Sequence, residues 1–350
     1  MLYQTKNPHG GDIYKEPILL DYSANTNPFG TPKGILDAMA AALADVHHYP
    51  DPYCRELVQA IAEFEGVKKD YILCGNGAAE LIHSYCAAAK PNRAVELAPT
   101  FSEYSLGLKR IGCQVERYPL RQENDFALDE NFLTYLQEQQ PEVVFLCNPN
   151  KPTGRIIPYP LLQRILHFCK QNHIRLFVDE CFLDLSDDGI SLKTYLSDCP
   201  QLFILKAFTK SYGMAGVRLG YCLCADSELL TEMSRTVQPW NVSILAQAAG
   251  IAALQETAFL QKTRALIQTE REWLKAELER LGFWVCPSKA NFLLFQGPVH
   301  LHDILKTEGI AIRSCDNYHG LTSGWYRIAV RLHEQNEMLI AAMQSAIGKE

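Results

Sequence analysis

The sequence predicts an α/β fold in which a mostly parallel, seven-stranded sheet forms a large domain and a smaller α+β domain follows it. Short apolar runs alternate with amphipathic stretches through the middle of the 350 residues, which is typical of parallel sheets with helices on both faces. A long helical tract then precedes a different, mixed pattern. We therefore expect residues 1–40 to join the small domain, residues 41–245 to form the large domain and residues 246–350 to form the small one.

Seven apolar runs predict the strands of the large sheet. They are short and rich in β-branched and aromatic residues, and amphipathic stretches such as residues 78–90 and 159–173 separate them. The runs lie at residues 71–74, 94–98, 113–120, 142–147, 175–180, 202–206 and 220–225. Ligands of such sheets bind at the carboxyl ends of the strands, so we expect the site in the turns that follow these runs.

The helical tract covers about residues 243–281 and stops at Gly282, a residue suited to the position after a helix. We expect the tract to divide into two helices near Glu256. Short strand patterns, a helix near residues 300–308 and a final helix follow it. This mixture predicts the small α+β domain.

Composition argues against several kinds of partner. The net charge of −7 gives no electrostatic reason to bind nucleic acid or an anionic membrane surface. No apolar run approaches the roughly 20 residues of a membrane-spanning helix, and the N-terminus has no run of signal-peptide type. The twelve cysteines lack the ligand spacing of a zinc site. We therefore expect a cytoplasmic protein without a metal, whose cysteines are reduced packing residues.

The first candidate site is a glycine-containing turn, CGNGAAELI at residues 74–82, between a predicted strand and a helix. Gly75 and Gly77 permit a tight turn. The amides of Gly77, Ala78 and Ala79 would then lie at a helix N-terminus, where anions such as phosphate bind. An ordinary strand-to-helix turn would explain the stretch equally well.

Three further strand ends carry polar residues. The run CNPNKPTG at residues 147–154 packs turn formers together. Asp179 ends the next strand, where a carboxylate leaving the core requires a cationic partner. The stretch AFTKSYGMAGVRLGY then places Lys210 at the mouth of a buried strand and Arg218 eight residues later. Each feature alone has an ordinary structural explanation, so their order along the chain is the informative observation.

In this order, the four features resemble the motifs of pyridoxal phosphate enzymes of the aspartate aminotransferase type, which have fold type I. The resemblance covers nearly the whole chain. It implies pyridoxal 5′-phosphate as the cofactor and Lys210 as the lysine that binds it covalently, which requires a neutral amine. It also implies that Asp179 keeps the ring nitrogen protonated, so that the ring withdraws electrons from the substrate. Thr209 and Arg218 would bind the phosphate.

The resemblance extends to two aromatic residues and includes two departures. Phe101 matches the residue that stacks on the cofactor ring. Tyr49 matches a tyrosine that reaches the cofactor phosphate of the neighbouring subunit, which implies a homodimer with shared active sites. The family usually has an asparagine where this chain has Lys151, so either Lys151 or Asn150 would contact the ring oxygen. Ala207 stands where serine or threonine is frequent, so one hydrogen bond to the phosphate is missing or comes from water.

Two subfamilies with phosphorylated substrates are similar: the histidinol-phosphate aminotransferases and the threonine-phosphate decarboxylases of the cobalamin pathway. Three features favour the second. The run NPHGGDI at residues 7–13 resembles a decarboxylase segment that folds over the substrate. Phe182 stands where the aminotransferases generally place a tyrosine, and residues 311–331 resemble the C-terminal signature of the decarboxylases. The resemblance implies that the substrate's phosphate and carboxylate are bound by His9, Gly10, Gly11, Asn25, Arg313 and Arg327.

The resulting expectation is decarboxylation of O-phospho-L-threonine to (R)-1-amino-2-propanol O-2-phosphate, for cobalamin biosynthesis. Lys210 or Tyr212 would return a proton to the α-carbon. A substrate phosphate suits a decarboxylase, because the enzyme can bind the substrate through this charged group while the carboxylate leaves. Three alternatives stay open: an O-phospho-L-serine decarboxylase that gives ethanolamine phosphate, a histidinol-phosphate aminotransferase, and a non-catalytic regulatory protein that binds pyridoxal phosphate.

Overall fold

The structure is a computed structural model that describes residues 9–15 and 17–347, so residues 7 and 8 of the predicted N-terminal motif lie outside it. Its strands are β1 (Leu20–Asp21), β2 (Ile72–Gly75), β3 (Arg93–Ala98), β4 (Gln114–Pro119), β5 (Val143–Cys147), β6 (Arg175–Asp179), β7 (Leu202–Ala207), β8 (Gly220–Cys224), β9 (Trp284–Val285), β10 (Phe292–Gln296), β11 (Ile310–Ala311), β12 (Arg313–Ser314) and β13 (Trp325–Ala329). Its α-helices are α1 (Lys33–Ala42), α2 (Arg55–Glu65), α3 (Gly77–Ala89), α4 (Glu103–Arg110), α5 (Asn131–Gln139), α6 (Tyr159–Gln171), α7 (Phe208–Ser211), α8 (Ser227–Thr236), α9 (Ile244–Ala253), α10 (Thr257–Arg280), α11 (Leu301–Thr307) and α12 (His333–Ile347).

The seven predicted strands form one sheet, in the order β2, β8, β7, β6, β5, β3, β4. Neighbouring strands from β7 to β4 are parallel, whereas β8 runs antiparallel to both β2 and β7. Every residue of β5, β7 and β8 is buried, because helices cover both faces of the sheet, and such strands have nearly continuous apolar sequences. The prediction of a mostly parallel, seven-stranded sheet is confirmed.

Alternating residues of the central strands pack into two different cores. Val144 and Leu146 belong to a cluster that includes residues of α2, α5, α6 and α9. Phe145 points to the opposite face, where α3, α4 and α8 contribute. On that face Phe145, Phe177 and Phe203 stack across three adjacent strands, with ring centroids 4.6 and 4.7 Å apart. This tight packing fixes the strand ends that carry the candidate site residues.

The C-terminal part of the chain forms a second sheet with strand order β12, β13, β10, β9, in which all pairs are antiparallel. β1, near the N-terminus, pairs in parallel with β11. The predicted division of the long helical tract is confirmed, since α9 ends at Ala253 and α10 begins at Thr257. The domain boundaries near residues 40 and 245 stay a prediction.

A cluster of buried charges lies beside β7. The Glu65 carboxylate contacts the Lys206 ammonium at 2.7 Å and accepts a 2.5 Å hydrogen bond from the Tyr221 hydroxyl. Lys206 also contacts Asp184 at 3.1 Å. Burial alone would raise the pKa of Glu65, but the charge of Lys206 and the hydrogen bonds lower it to about 2. The cluster therefore stays ionised, and it becomes relevant below because Tyr212 faces it.

Candidate active site

A cavity of about 290 Å³ lies where β3, β5 and β7 end, near the lower limit of about 300 Å³ for small-molecule sites. The residues that line it come from α3, from the segments that follow β3, β5, β6 and β7, from the N-terminal part of the chain and from β13. Eight predicted site residues line it: His9, Gly10, Asn25, Ala79, Phe101, Lys151, Lys210 and Arg327. Residues that were predicted from separate sequence motifs therefore lie together at the carboxyl edge of the sheet.

Lys210 projects into this cavity from α7, the short helix that follows β7. The side chain as a whole is half-buried, but its amine lies inside the cavity. Burial there, and next the positive charge of Arg327, lower the pKa of Lys210 to about 8. A substantial fraction of the amine is therefore neutral near neutral pH, which is the form that attacks an aldehyde.

The cofactor-free protein should show this shift directly. We expect the rate of Lys210 acetylation by a trace of acetic anhydride to rise with pH and to level off above about pH 8, because only the neutral amine reacts. Peptide mass spectrometry measures the rate at this residue. In Arg327→Met the profile should move to higher pH, because the variant removes a positive charge that disfavours the protonated amine. A wild-type rate that still climbs at pH 10 would contradict the shift.

Arg218 lies against the N-terminus of α3. Gly77 begins the helix with φ +80°, and a Cβ atom there would collide with the Arg218 guanidinium. The guanidinium therefore lies directly against the first turn, beside the amides of Ala78 and Ala79. Thr209 lies buried in α7, next to Lys210. Helix amides and a planar guanidinium suit a phosphate group, and Arg218 is exposed in the single chain.

Asp179 is almost fully buried at the end of β6. One carboxylate oxygen accepts a 2.6 Å hydrogen bond from the Tyr104 hydroxyl and the other accepts a 2.9 Å bond from the Cys181 amide. These bonds fix the orientation of the carboxylate. Tyr104 was not predicted from the sequence, although its place three residues after Phe101, at the start of α4, was the available signal.

The structure distinguishes between Asn150 and Lys151. The side-chain amide of Asn150 is hydrogen-bonded to residues outside the cavity. Its Oδ1 accepts from Thr100, and its Nδ2 donates to the Pro99 carbonyl and to Thr153. Lys151 instead lines the cavity, with its Nζ 3.9 Å from the centre of the Phe101 ring. Burial and the charges of Arg327 and Lys210 lower the pKa of Lys151 well below its usual value. Of the two alternatives, only Lys151 lies where it could contact a bound ring.

Two buried side chains of the cavity lack partners among the described residues. Arg327, on β13, is 3% exposed and donates from Nη2 to the Ser23 carbonyl at 2.6 Å, but its Nε and Nη1 have no partner. Asn25 is 2% exposed, and neither atom of its amide is hydrogen-bonded. Buried polar groups are rarely left unpaired, because doing so costs about 1–3 kcal/mol each. The free donors of Arg327 and Asn25 could therefore bind an anionic group of a ligand.

Arg313 does not line the same cavity. It pairs with Arg327 in the register of β12 and β13, contacts the Ser314 carbonyl and Asn317, and lines a neighbouring cavity of about 470 Å³. The two cavities share His9, Gly10 and Ser23. The two arginines predicted to bind the substrate together thus lie on opposite sides of the N-terminal segment, and Gly11 lines only the second cavity.

Tyr212 and Tyr49 line neither cavity, and each contacts residues elsewhere in the structure. The Tyr212 ring is buried against Phe208, and its pKa is raised by burial and by the charge of Asp184, which belongs to the buried ion cluster. The prediction that Tyr212 delivers a proton in the site is therefore not supported by its position. Tyr49 is 76% exposed and stacks on Trp240 at 4.4 Å, away from the cavity of its own chain.

A lysine with a lowered pKa at a strand end, a buried aspartate one strand away and an arginine beside a helix N-terminus are typical of one class, the pyridoxal phosphate enzymes of fold type I. The chain belongs to the aminotransferase class I and II family, whose model matches residues 17–343, and its cofactor is pyridoxal 5′-phosphate. No α-helix in the described part of the chain is long and apolar enough to cross a membrane.

Relatives of known name fall into both subfamilies considered above. The chain is 36% identical to a threonine-phosphate decarboxylase of Salmonella typhimurium, over 97% of this chain and 96% of the relative. It is 31% identical to a histidinol-phosphate aminotransferase of Symbiobacterium thermophilum, over 95% and 91% of the two chains. The crystal structure of a histidinol-phosphate aminotransferase from Clostridium acetobutylicum superposes with a TM-score of 0.88 at 28% identity, covering 95% of this chain and all of that one.

Proposed function

We propose that this protein decarboxylates an O-phospho amino acid, with O-phospho-L-threonine as the preferred substrate and (R)-1-amino-2-propanol O-2-phosphate as the product. The observation that carries the proposal is that Nε and Nη1 of Arg327 and the side-chain amide of Asn25, buried beside Lys210, have no partner among the described residues. It fits an amino acid that brings its own negative charges. The 36% identity to a threonine-phosphate decarboxylase supports this substrate class, and cobalamin biosynthesis is the pathway that would use the product.

The residues present fit pyridoxal phosphate, which when bound withdraws electrons from the bonds of the substrate's α-carbon. The first-turn amides of Gly77, Ala78 and Ala79 would bind its phosphate together with Thr209 and Arg218. Asp179, whose carboxylate is oriented by its two hydrogen bonds, would face the ring nitrogen. Phe101 would cover one face of the ring, and the amine of Lys151 would donate to the ring oxygen.

Lys210 would have two roles. Its neutral amine binds the cofactor covalently in the resting enzyme. During turnover the same Nζ carries a proton to the α-carbon, because decarboxylation replaces the carboxylate by a proton and Tyr212 lies outside the cavity. A pKa near 8 suits this task, since the group can both hold and release a proton near neutral pH.

Phe182 favours decarboxylation over transamination. It lines the cavity and packs edge-on against Phe292, with ring centroids 5.1 Å apart. Its ring offers no hydroxyl at the place where the aminotransferases generally have a tyrosine. Histidinol-phosphate aminotransferase nevertheless stays the second candidate function, because relatives of that name are up to about a third identical over more than nine tenths of the chain.

We also propose a homodimer in which Tyr49 reaches the cofactor phosphate of the partner. Tyr49 and its stacking partner Trp240 are exposed in the single chain, as are the nearby apolar residues Leu43 and Val46. A second subunit would cover them and would close the exposed side of Arg218. The expectation of a cytoplasmic protein stays a prediction.

A substrate panel tests the proposed function. The purified holoenzyme is incubated with O-phospho-L-threonine, with O-phospho-L-serine, or with histidinol phosphate plus 2-oxoglutarate, while carbon dioxide and amine products are measured. We expect carbon dioxide and aminopropanol phosphate from phosphothreonine, without any keto acid. The single methyl group that distinguishes phosphoserine is worth about 1–3 kcal/mol, so this substrate should react more slowly. Glutamate formed from histidinol phosphate, without gas release, would support the aminotransferase, and no turnover of any substrate would support a regulatory protein.

A further inference from the structure

The cavity contains an acidic residue to which the proposed mechanism gives no role. Glu103 begins α4 and lines the cavity beside Phe101. Its Oε1 lies 2.7 Å from Nε2 of His9, and its Oε2 lies 3.0 Å from Nε2 of His83. The carboxylate is thus shared by two imidazoles, one from the N-terminal segment and one from α3.

The second imidazole is itself held in place. Nη1 of Arg110 lies 3.4 Å from Nδ1 of His83. Because a guanidinium can only donate, Nδ1 of His83 accepts, and the ring proton is on Nε2, directed at Glu103. The hydrogen bonds from His83 and His9 hold the pKa of Glu103 well below its usual range. Glu103 is therefore ionised, and each of its two oxygens accepts a hydrogen bond from a histidine.

On its other side, the N-terminal segment is fixed to Ser23. The Gly11 amide donates to the Ser23 hydroxyl at 2.7 Å, and Gly10 is so close that a Cβ atom there would collide with the Ser23 carbonyl. That carbonyl also accepts the hydrogen bond from Arg327. The N-terminal segment, residues 9–15, thus contacts Ser23 on one side and Glu103 on the other, and its residues His9 and Gly10 line both cavities.

We propose that Glu103, braced by His83, is a positioning residue that fixes the imidazole of His9 against the anionic end of the substrate. The carboxylate accepts from Nε2 of His9 and so fixes the orientation of the ring, and His9 in its imidazolium form would then direct its Nδ1–H at the anion. Glu103 itself would repel a phosphorylated substrate. Its role in the cavity wall is therefore to hold its histidine partners and not to contact the substrate. The inference rests on the proposed function, because it assigns His9 to the substrate.

Kinetics of Glu103→Gln and His9→Ala, singly and together, test the assignment. In Glu103→Gln we expect KM for phosphothreonine to rise about 10- to 100-fold, the cost of losing one charge-assisted contact, while kcat changes much less. His9→Ala should cause a similar rise. Because Glu103 acts through His9, the double variant should be no worse than His9→Ala alone. Glu130→Gln, which removes a carboxylate from an exposed ion pair with Arg164, is the matched control and should leave KM unchanged.

Hydrogen exchange supplies a measurement that does not depend on turnover. In Glu103→Gln the peptide covering residues 9–15 should exchange faster than in the wild type, because the anchor that Glu103 provides to the segment is lost. Unchanged exchange in this peptide would overturn the proposal, as would multiplying KM effects in the double variant. Wild-type protein that releases no carbon dioxide while Glu103→Gln still accelerates exchange would instead refute the proposed function and leave the anchoring by Glu103 supported.

Discussion

Replacing Lys210 with alanine is expected to reduce carbon dioxide release from phosphothreonine below detection and to remove the visible absorbance of the lysine-bound cofactor. A positioned acid–base group alone contributes about 10²- to 10⁴-fold to rate, and Lys210 also provides the covalent link. The cavity offers Lys151 as a second amine with a lowered pKa, but it follows a different strand, β5. Turnover and the absorption spectrum are measured on protein that has been saturated with the cofactor.

The control for this variant is Lys33→Ala, which removes an amine from an exposed ion pair with Asp37 and should retain full activity. Borohydride reduction of the wild-type holoenzyme, followed by peptide mapping, should label Lys210. Label on Lys151, or decarboxylation that survives in Lys210→Ala, would contradict the assignment. Arginine at position 210 should be as inactive as alanine, because it keeps the charge but cannot provide a neutral amine.

The strand ends could be predicted from the sequence because two physical signals coincide there. Buried parallel strands are nearly continuous apolar runs, and polar residues that directly follow such runs must lie at the sheet's carboxyl edge. This reasoning located Asp179 at the end of β6 and Lys210 after β7, and it found the glycine turn that opens α3 at Gly77. The general position of the site therefore followed from local pattern alone.

The direction of individual side chains could not be predicted in the same way. Lys210 and Tyr212 are two residues apart at α7, and residues at this spacing do not share a helix face. One therefore enters the cavity while the other faces the buried ion cluster. Asn150 and Lys151 are adjacent in a turn, and only the hydrogen bonds of Asn150 to its surroundings reveal which of them points away from the cavity.

Contacts between distant parts of the chain were also beyond sequence reasoning. His9 and Glu103 are 94 positions apart, and their 2.7 Å contact depends on how the N-terminal segment packs on Ser23. The resemblance to the decarboxylases implied that Arg313 and Arg327 both bind the substrate. The strand pairing places them side by side, but the segment carrying His9 and Gly10 separates the cavities that they line.

The second large effect is expected for Arg327→Met. Its guanidinium is buried, with two nitrogens that have no partner among the described residues, so a substrate anion that binds there replaces no existing interaction. Removing one partner of a buried charged pair costs about 2–5 kcal/mol, which corresponds to a loss of about 30-fold to several thousand-fold in kcat/KM. Steady-state kinetics with phosphothreonine measure this loss. Arg327→Lys should recover little of it, since an ammonium cannot reproduce the planar fork of the guanidinium.

Arg313→Met is the matched comparison, since the two arginines are paired across β12 and β13 and differ in the cavity they line. Asn25→Ala, which removes the other unpartnered side chain, distinguishes the two anions of the substrate. If Arg327 and Asn25 bind the same group, the two substitutions together should cost less than the sum of their separate free energies. An Arg327→Met enzyme with unchanged kcat/KM would show that the substrate's charge is bound elsewhere, and an accompanying large loss in Arg313→Met would locate it in the neighbouring cavity.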